Sequence, residues 1–188
     1  MKRLYFDVET TGIIPKGNPT MEEMPHVCQL AAILHDDEGQ EAASMSVIIK
    51  PEGWTIPEVC ADIHGIDNDY AAHVGIPIRC ALSMFAQLFL TANETVAHNI
   101  AFDSQMLMVE FDRLDKNWPF ADRPSFCTML GTMNICKIPG KFKDYKWPKL
   151  IEAYQFLFNE SFDGAHDALA DVRACARVHR HLIENNLI

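Results

Sequence analysis

Three short segments of the chain carry acidic or imidazole side chains in patterns that could do chemistry together. "FDVETTG" contains Asp7 and Glu9, "HNIAFD" ends in Asp103, and "HDALAD" contains His166 and Asp171. Carboxylates gathered at one place repel each other and resist burial unless cations offset their charge. Oxygen-rich sites favour Mg²⁺ or Mn²⁺, and pairs of such ions serve in-line displacement at phosphorus. These residue types indicate metal-dependent phosphoryl chemistry with a histidine general base.

The elements around these segments could bring the acids to one place. Residues 3–9 alternate apolar and polar side chains, which predicts a strand with the first two acids on one face. Asp103 falls one turn into a helix predicted for residues 100–114, where Asn99 can act as the cap and the helix N-terminus favours an anion. The last helix is predicted for residues 167–184. Because strand ends and helix starts meet at one edge of an α/β sheet, we expect the three segments to converge there.

The third segment allows two arrangements. Asp167 and Asp171 are four residues apart and would share one helix face, whereas His166 and Asp171 are five apart and would not. Either the two aspartates act together, or His166 precedes the helix while Asp167 sits at the N-cap or in the first turn. The spacing does not decide between them.

The rest of the chain predicts alternating strands and helices. Strands are expected at 26–36 and 41–50, joined by a hairpin turn at "DDEGQ", with short strands at 95–98 and 125–129. Helices are expected at 57–63, 67–73 and 77–92, with another beginning near Pro148. This order indicates an α/β or α+β sandwich around one mixed sheet. We find no repeat or linker, so a single domain over residues 1–188 is expected.

Composition and charge limit the other functions. The formal net charge is −10, which argues against nonspecific nucleic-acid binding unless bound cations offset some acids. The longest apolar stretch, residues 80–92, is too short to span a bilayer, and no signal-peptide core follows the N-terminus. A cytosolic protein without membrane association is expected. None of the six cysteines shows C-x-x-C or zinc-site spacing, so we expect reduced, largely buried thiols.

The three segments, in this order, resemble the motifs of the DEDDh 3′–5′ exonucleases, a family of ribonuclease H-like fold that includes proofreading subunits of bacterial polymerases and related trimming enzymes. The segment "IHGI" at residues 63–66 is a secondary match. The resemblance runs from about residue 3 to residue 182. It implies an α/β, ribonuclease H-like fold with a mixed five-stranded sheet and helices on both faces. It also implies hydrolysis of the 3′-terminal phosphodiester, which releases nucleoside 5′-monophosphates.

The resemblance also implies roles for individual residues. Asp7, Glu9, Asp103 and Asp171 would hold two Mg²⁺ or Mn²⁺ ions, and His166 would be the general base. This choice leaves Asp167 as a helix cap. The residues implied at the terminal nucleotide are Thr10, Thr11, Gly12, Ile63, His64 and Phe102, with Asn99 supporting the site. For His64 a packing role is an equal alternative.

Two basic patterns have alternative interpretations. Residues 136–150 interleave lysines and aromatics, which suits either a groove that follows a nucleic-acid strand or a solvated loop. The residues concerned are Lys137, Lys141, Phe142, Lys143, Tyr145, Lys146, Trp147 and Lys149. Three arginines recur along the last helix, Arg173, Arg177 and Arg180, and are expected to form its solvent face.

The favoured substrate is the 3′ end of single-stranded or frayed DNA. RNA or oligoribonucleotide trimming is the main alternative, because the same motifs serve both and discrimination depends on contacts to the 2′-hydroxyl. A nuclease fold that only binds nucleic acid is less favoured, since the ligand set is complete. A polymerase or other replication partner stays open, and the oligomeric state is not predicted.

Overall fold

The structure, a computed structural model, describes residues 1–116, 123–141 and 144–188. Within them the chain forms five strands and seven helices. The strands are β1 (Arg3–Thr10), β2 (Val27–His35), β3 (Glu41–Ile48), β4 (Glu94–Ala97) and β5 (Ser125–Cys127). The helices are α1 (Glu58–His64), α2 (Asn68–Val74), α3 (Ile78–Thr91), α4 (Ile100–Arg113), α5 (Thr128–Cys136), α6 (Leu150–Phe158) and α7 (Ala168–Glu184).

The five strands form one mixed sheet in the order β3-β2-β1-β4-β5. β1 pairs antiparallel with β2, and β2 pairs antiparallel with β3. On its other side β1 pairs parallel with β4, which pairs parallel with β5. The predicted mixed five-stranded sheet is therefore confirmed, with β1 at its centre.

Alternation along β1 sends its apolar side chains to both faces of the sheet. Leu4, Phe6 and Val8 join the core that α3 and α4 cover. Tyr5 joins a second core with Ala168 and neighbouring residues of α7 on the opposite face. Helices therefore cover both faces, as predicted. Asp7 and Glu9, which alternate with the first set, lie on the α7 side.

The strand predicted for residues 125–129 ends at Cys127, and helix α5, which the sequence pattern did not predict, begins at once. Its first residue, Thr128, is buried and donates its hydroxyl to Ala97 O. At Gly131 a Cβ would come within 2.5 Å of the Phe126 ring, so a larger residue here would require the ring to shift. The sequence pattern does not predict this helix, because a glycine and two threonines occupy positions where apolar residues with helical spacing would be expected.

Helix α6 begins at Leu150, two residues later than the start predicted near Pro148. Pro148 is buried, and its carbonyl accepts a hydrogen bond from Nε2 of His98 at 2.9 Å. Lys149 takes the N-cap position, and its backbone N–H donates to Glu152 at 2.8 Å. The contact with His98 anchors the loop before α6 to the end of β4.

The cysteines agree with the expectation of reduced thiols. All six are free, and Cys28, Cys136 and Cys175 are buried. The three arginines of α7 are exposed and pair with acids, Arg173 with Glu41, Arg177 with Glu160 and Arg180 with Glu184. They form the solvent face that was predicted. None of the helices in the described part of the chain is long and apolar enough to cross a membrane.

A buried hydrogen bond between β1 and α7 gives a test of this architecture. The Tyr5 hydroxyl lies 3.1 Å from Nδ1 of His179, and both side chains are buried. We expect Tyr5→Phe to lower the free energy of unfolding by about 1–3 kcal/mol, because it leaves a buried polar atom without this partner. Urea unfolding measures the change. Tyr70→Phe, at an exposed tyrosine, is the matched control, and equal effects of the two variants would contradict the proposed contribution.

Candidate active site

The unequal lengths of β1 and β4 place Asp103. The parallel register pairs Tyr5 with Val96, and β4 ends one residue later, whereas β1 continues to Thr10. Among the described residues, no strand pairs with the edge of β1 beyond this point on the β4 side. Helix α4 follows β4 directly and brings Asp103 to this edge, where its Oδ1 accepts the Val8 N–H at 3.2 Å. A backbone donor that β4 leaves unpaired is thus satisfied by the carboxylate.

The turn between β4 and α4 differs from the expected cap. Asn99 does occupy the N-cap position, but its side chain makes no capping hydrogen bond. Its φ of 73° and ψ of 44° put it in the left-handed region, which asparagine tolerates better than most residues. Its carbonyl accepts the Phe102 N–H at 2.8 Å. Asn99 therefore takes the N-cap position that was predicted, but the tight turn uses its backbone carbonyl and not its side chain.

The start of α7 decides what the spacing left open. Asp167 is the N-cap, and its Oδ1 accepts the N–H groups of Leu169 and Ala170. His166 precedes the helix in the left-handed region, with φ of 71°. Its backbone N–H donates to Oδ2 of Asp171 at 3.1 Å. The capping role expected for Asp167 is confirmed, and His166 is outside the helix.

Acidic and imidazole groups from β1 and α7 meet at the end of β1. Glu9, His166 and Asp171 each offer a ligand atom, and these atoms lie within 4.8 Å of one another. Asp7 and Asp103 lie near this group, because the charge of Asp103 raises the pKa of both Asp7 and Glu9. The structure therefore brings together all five residues that the sequence analysis selected.

Burial and mutual repulsion raise the pKa values of the acids in this cluster, so they hold protons more tightly than free carboxyl groups do. Burial raises the pKa of Glu9 to about 8, and the charges of Asp171 and Asp103 add to that effect. Burial, opposed by the His166 N–H, raises the pKa of Asp171 to about 6. The pKa of Asp7 also rises well above its usual range because of burial and the Asp103 charge. Protein groups offset these charges only in part, so the oxygen-donor set fits hard divalent cations.

The loop after β1 is fixed by both threonines of the first motif. The Thr10 hydroxyl donates to Gly12 O at 2.7 Å. Thr11 exchanges hydrogen bonds with His26, which donates its N–H to Thr11 Oγ1 at 2.8 Å and accepts from Thr11 N–H at 2.9 Å. These contacts hold the backbone at Gly12 in place beside Glu9. A contact of this loop with a nucleotide stays a prediction.

The remaining residues predicted at the nucleotide differ in exposure. Ile63 is exposed at the end of α1, and Phe102 is half-buried against the main core. Nδ1 of His64 accepts the Ile66 N–H at 3.1 Å, and Nε2 lies 3.5 Å from Cys28 Sγ. Burial lowers the pKa of His64. The packing alternative for His64 is thus observed, whereas its contact with substrate stays a prediction.

A buried ion pair at the far end of α4 was missed by the sequence analysis. Glu110 is buried, and its Oε1 accepts the Val27 N–H at 3.0 Å and Arg113 Nη1 at 2.7 Å. Arg113 also donates to the carbonyls of Met21, Met24 and Pro25. The pair fixes the β1–β2 loop that carries Thr11. Its i, i+3 spacing is that of an ordinary surface pair, so nothing in the sequence marks it as buried.

A cleft of about 670 Å³ opens beside this loop. Gly12, His26, Trp54 and Arg113 are among the residues that line it. The His26 and Trp54 rings stack with their centroids 4.7 Å apart and their planes at 4°. The cleft therefore has an aromatic wall next to the end of β1.

The lysine-rich segment before α6 is described in part. Lys146 pairs with Glu152 at 2.5 Å, and the Tyr145 and Trp147 side chains are exposed. Phe142 and Lys143 lie outside the described residues. Contact of this segment with substrate stays a prediction.

Comparison with known proteins identifies the family. Residues 4–179 match the RNase T family model, which is described as an exonuclease. The chain belongs to this exonuclease family. The exonuclease family that the sequence motifs predicted is thereby confirmed. The uncharacterized exonuclease CP81 of Escherichia phage 186 is 29% identical over 178 residues, which are 91% of this chain and 82% of that protein.

Solved exonuclease structures share the fold. E. coli exonuclease I in complex with a dT13 oligonucleotide has a TM-score of 0.75 and 20% identity, and the match covers 96% of this chain and 40% of that one. The chain thus spans about two fifths of exonuclease I. The nuclease domain of 3′hExo, a DEDDh family member bound to rAMP, has a TM-score of 0.75 and 16% identity, with 99% and 93% covered. These likenesses confirm the ribonuclease H-like exonuclease fold.

The raised pKa values of the cluster predict how metal-free protein responds to pH. Burial raises the pKa of Glu9 from 4.5 to about 8 and that of Asp171 from 3.8 to about 6. The native state therefore binds these protons more tightly than the unfolded state, so stability falls as pH rises from about 4.5 to 8. Thermal unfolding in EDTA between pH 5.5 and 8.5 measures this decline.

Two further measurements check whether the acidic cluster causes the decline of stability with pH. Glu9→Gln should flatten the decline, because the amide does not titrate, whereas Glu38→Gln, at an exposed turn, should leave it unchanged. Added Mg²⁺ should stabilise the protein more at pH 8.5 than at pH 5.5, because cations bind the deprotonated acids. An unaltered pH dependence in Glu9→Gln would contradict this assignment.

Proposed function

We propose that the protein is a metal-dependent 3′–5′ exonuclease that hydrolyses the terminal phosphodiester of single-stranded or frayed DNA and releases nucleoside 5′-monophosphates. The observation that carries the proposal is the convergence of Glu9, His166 and Asp171 within 4.8 Å, with Asp7 and Asp103 beside them. We also propose that residues 1–188 act as one domain, because elements from β1 to α7 build the same sheet and its two cores.

The four carboxylates, Asp7, Glu9, Asp103 and Asp171, would hold two Mg²⁺ or Mn²⁺ ions. Hard oxygen donors suit these ions, and the raised pKa values of the acids mean that metal binding would displace protons from the cluster. When bound, such ions supply Lewis acidity, which favours deprotonation of the attacking water and offsets negative charge on the leaving oxygen.

His166 is suited to accept a proton from the attacking water. It is exposed, so water reaches its ring, and its backbone N–H is tied to Asp171, which fixes its position relative to the acids. An imidazole nitrogen can accept a proton near neutral pH. The left-handed backbone at this residue holds the ring outside α7, over the cluster.

The loop over Thr10, Thr11 and Gly12 would receive the terminal nucleotide through its backbone. Its internal hydrogen bonds and the Glu110–Arg113 pair fix its shape before substrate binds, which reduces the ordering cost of binding. Ile63, His64 and Phe102 would pack on the base and sugar, and Asn99 would support the turn into α4. The adjacent aromatic cleft offers a path for the strand.

DNA is favoured as substrate by the likeness to exonuclease I, whose solved complexes contain deoxyoligonucleotides. RNA trimming is the second candidate, supported by the likeness to the 3′hExo domain bound to rAMP, 93% of which the match covers. A side-by-side assay decides between them.

The test uses 5′-labelled single-stranded DNA, single-stranded RNA and a DNA duplex with a mismatched 3′ end, each with Mg²⁺. We expect stepwise shortening from the 3′ end, release of 5′-monophosphates and a faster rate on DNA than on RNA. Asp7→Asn, which keeps the side-chain volume, should abolish hydrolysis, and EDTA should do the same. Faster digestion of RNA would favour the second candidate, and cleavage within a circular strand would contradict an exonuclease.

A second variant tests the general base. We expect His166→Ala to lower kcat by about 10²–10⁴-fold, the usual contribution of a positioned acid–base group. His73→Ala, an exposed histidine on α2, is the control and should behave as wild type. A kcat that His166→Ala leaves unchanged would remove the proposed role.

A further inference from the structure

Gln29 is a buried polar residue in the middle of the sheet that none of the motifs includes. It is 4% exposed and lies on β2 directly opposite Glu9 in the antiparallel register. Directly opposed residues on neighbouring strands point to the same face of the sheet. Gln29 therefore faces α7, next to the acidic cluster.

The Gln29 amide is bonded to the start of α7 at both of its ends. Its Oε1 accepts the Ala168 N–H at 3.2 Å, and its Nε2 donates to Asp167 Oδ2 and to Ser46 Oγ, each at 3.3 Å. Ala168 is the first residue of the helix, and Asp167 is its N-cap. One side chain thus holds both the first helical N–H and the capping carboxylate.

These contacts require an amide. The Ala168 N–H needs an acceptor, whereas the Asp167 carboxylate needs a donor, and the glutamine amide presents both from one neutral planar group. An ionised glutamate of the same shape would face Asp167 with no proton to donate. It would also add a charge beside Glu9, where several carboxylates already raise one another's pKa.

We infer that Gln29 is a positioning residue that sets the reacting geometry of His166 and Asp171 relative to Glu9 by locking the N-terminus of α7 to β2. The inference rests on the proposed exonuclease function. His166 immediately precedes the capped residue, and Asp171 is one turn further on, its N–H bonded to Asp167 O at 3.0 Å. Displacement of Asp167 would therefore move both groups against Glu9, which is held on β1.

Positions 29 and 167 carry an amide and a carboxylate, and exchanging the two groups keeps the hydrogen bond between them and those to the start of α7. In the double variant Gln29→Glu with Asp167→Asn, the new glutamate accepts from Ala168 N–H and from Nδ2 of the new asparagine. The asparagine Oδ1 still caps α7, since asparagine and aspartate are comparable N-caps. The total charge is unchanged. Each single variant instead opposes two groups of the same kind, two acceptors or two donors.

The experiment compares wild type, both single variants and the double variant on a 5′-labelled oligonucleotide. We expect Gln29→Glu to lower kcat by about 10–100-fold, as a misplacement of about 1 Å does, with KM changed by less than about twofold. The exchange should restore kcat by at least about fivefold over Gln29→Glu, because the two side chains belong to one network. Gln87→Glu, exposed on α3, is the control for added charge.

Hydrogen exchange of the backbone amides in metal-free protein gives a readout that does not need activity. Amides at residues 166–171 should exchange faster in Gln29→Glu and return to wild-type protection in the double variant. If Gln29→Glu does not fold, the double variant is compared with Asp167→Asn, and it should have the higher kcat and protection.

The outcomes separate this inference from the proposed function. If wild type hydrolyses no oligonucleotide, the proposed exonuclease function fails, and the exchange data alone decide whether Gln29 orders the start of α7. If wild type is active and Gln29→Glu keeps its kcat, or if the double variant gains nothing over the single variants, Gln29 is only a packing residue and the inference is overturned.

Discussion

Repulsion among carboxylates at the end of β1 is the constraint on which the rest of the site depends. Burial and like charge raise the pKa of Glu9 to about 8 and act in the same direction on Asp7. Such a cluster would spread apart in a flexible chain, because the mutual repulsion disfavours close approach. The free energy that holds it together must come from packing elsewhere, so each acid is attached to an element with its own buried core.

The two helices that carry acids, α4 and α7, pack on opposite faces of the sheet and can approach each other only at its edge. α4 packs with Leu4 and Phe6 on one face, and α7 packs around Tyr5 on the other. Their first turns nevertheless reach the same place, because β4 stops short and leaves the end of β1 uncovered. The Val8 N–H then fixes Asp103, and the His166 N–H fixes Asp171. Each backbone donor offsets some negative charge on its carboxylate and also fixes the position of that carboxylate at the end of β1.

Local patterns in the sequence predicted those features of the site that depend on strand or helix periodicity. Alternation placed Asp7 and Glu9 on one face, and the last helix was expected to begin at residue 167, although spacing left the role of Asp167 open. Spacing could not place His166, because a left-handed residue before a helix leaves no periodic signal. Hydrogen bonds between distant residues, such as that between Gln29 and Ala168, which are 139 residues apart, also could not be predicted from local patterns. The sequence pattern did not predict the end of β5 or the presence of α5. Small residues such as Gly131 allow close contacts there, and they leave no apolar stripe with helical periodicity.

The same constraint explains why neutral groups surround the acids. Gln29 and the backbone donors supply hydrogen bonds without a formal positive charge, so the cluster is held in shape while the pKa values of its acids stay raised. A nearby lysine or arginine paired with these acids would stabilise the metal-free fold, but it would compete with divalent cations for the same oxygens. The arginines of α7 instead point to solvent and pair with Glu41, Glu160 and Glu184. Because the acids hold protons in place of cations, metal binding must release protons, and the affinity for divalent ions rises with pH.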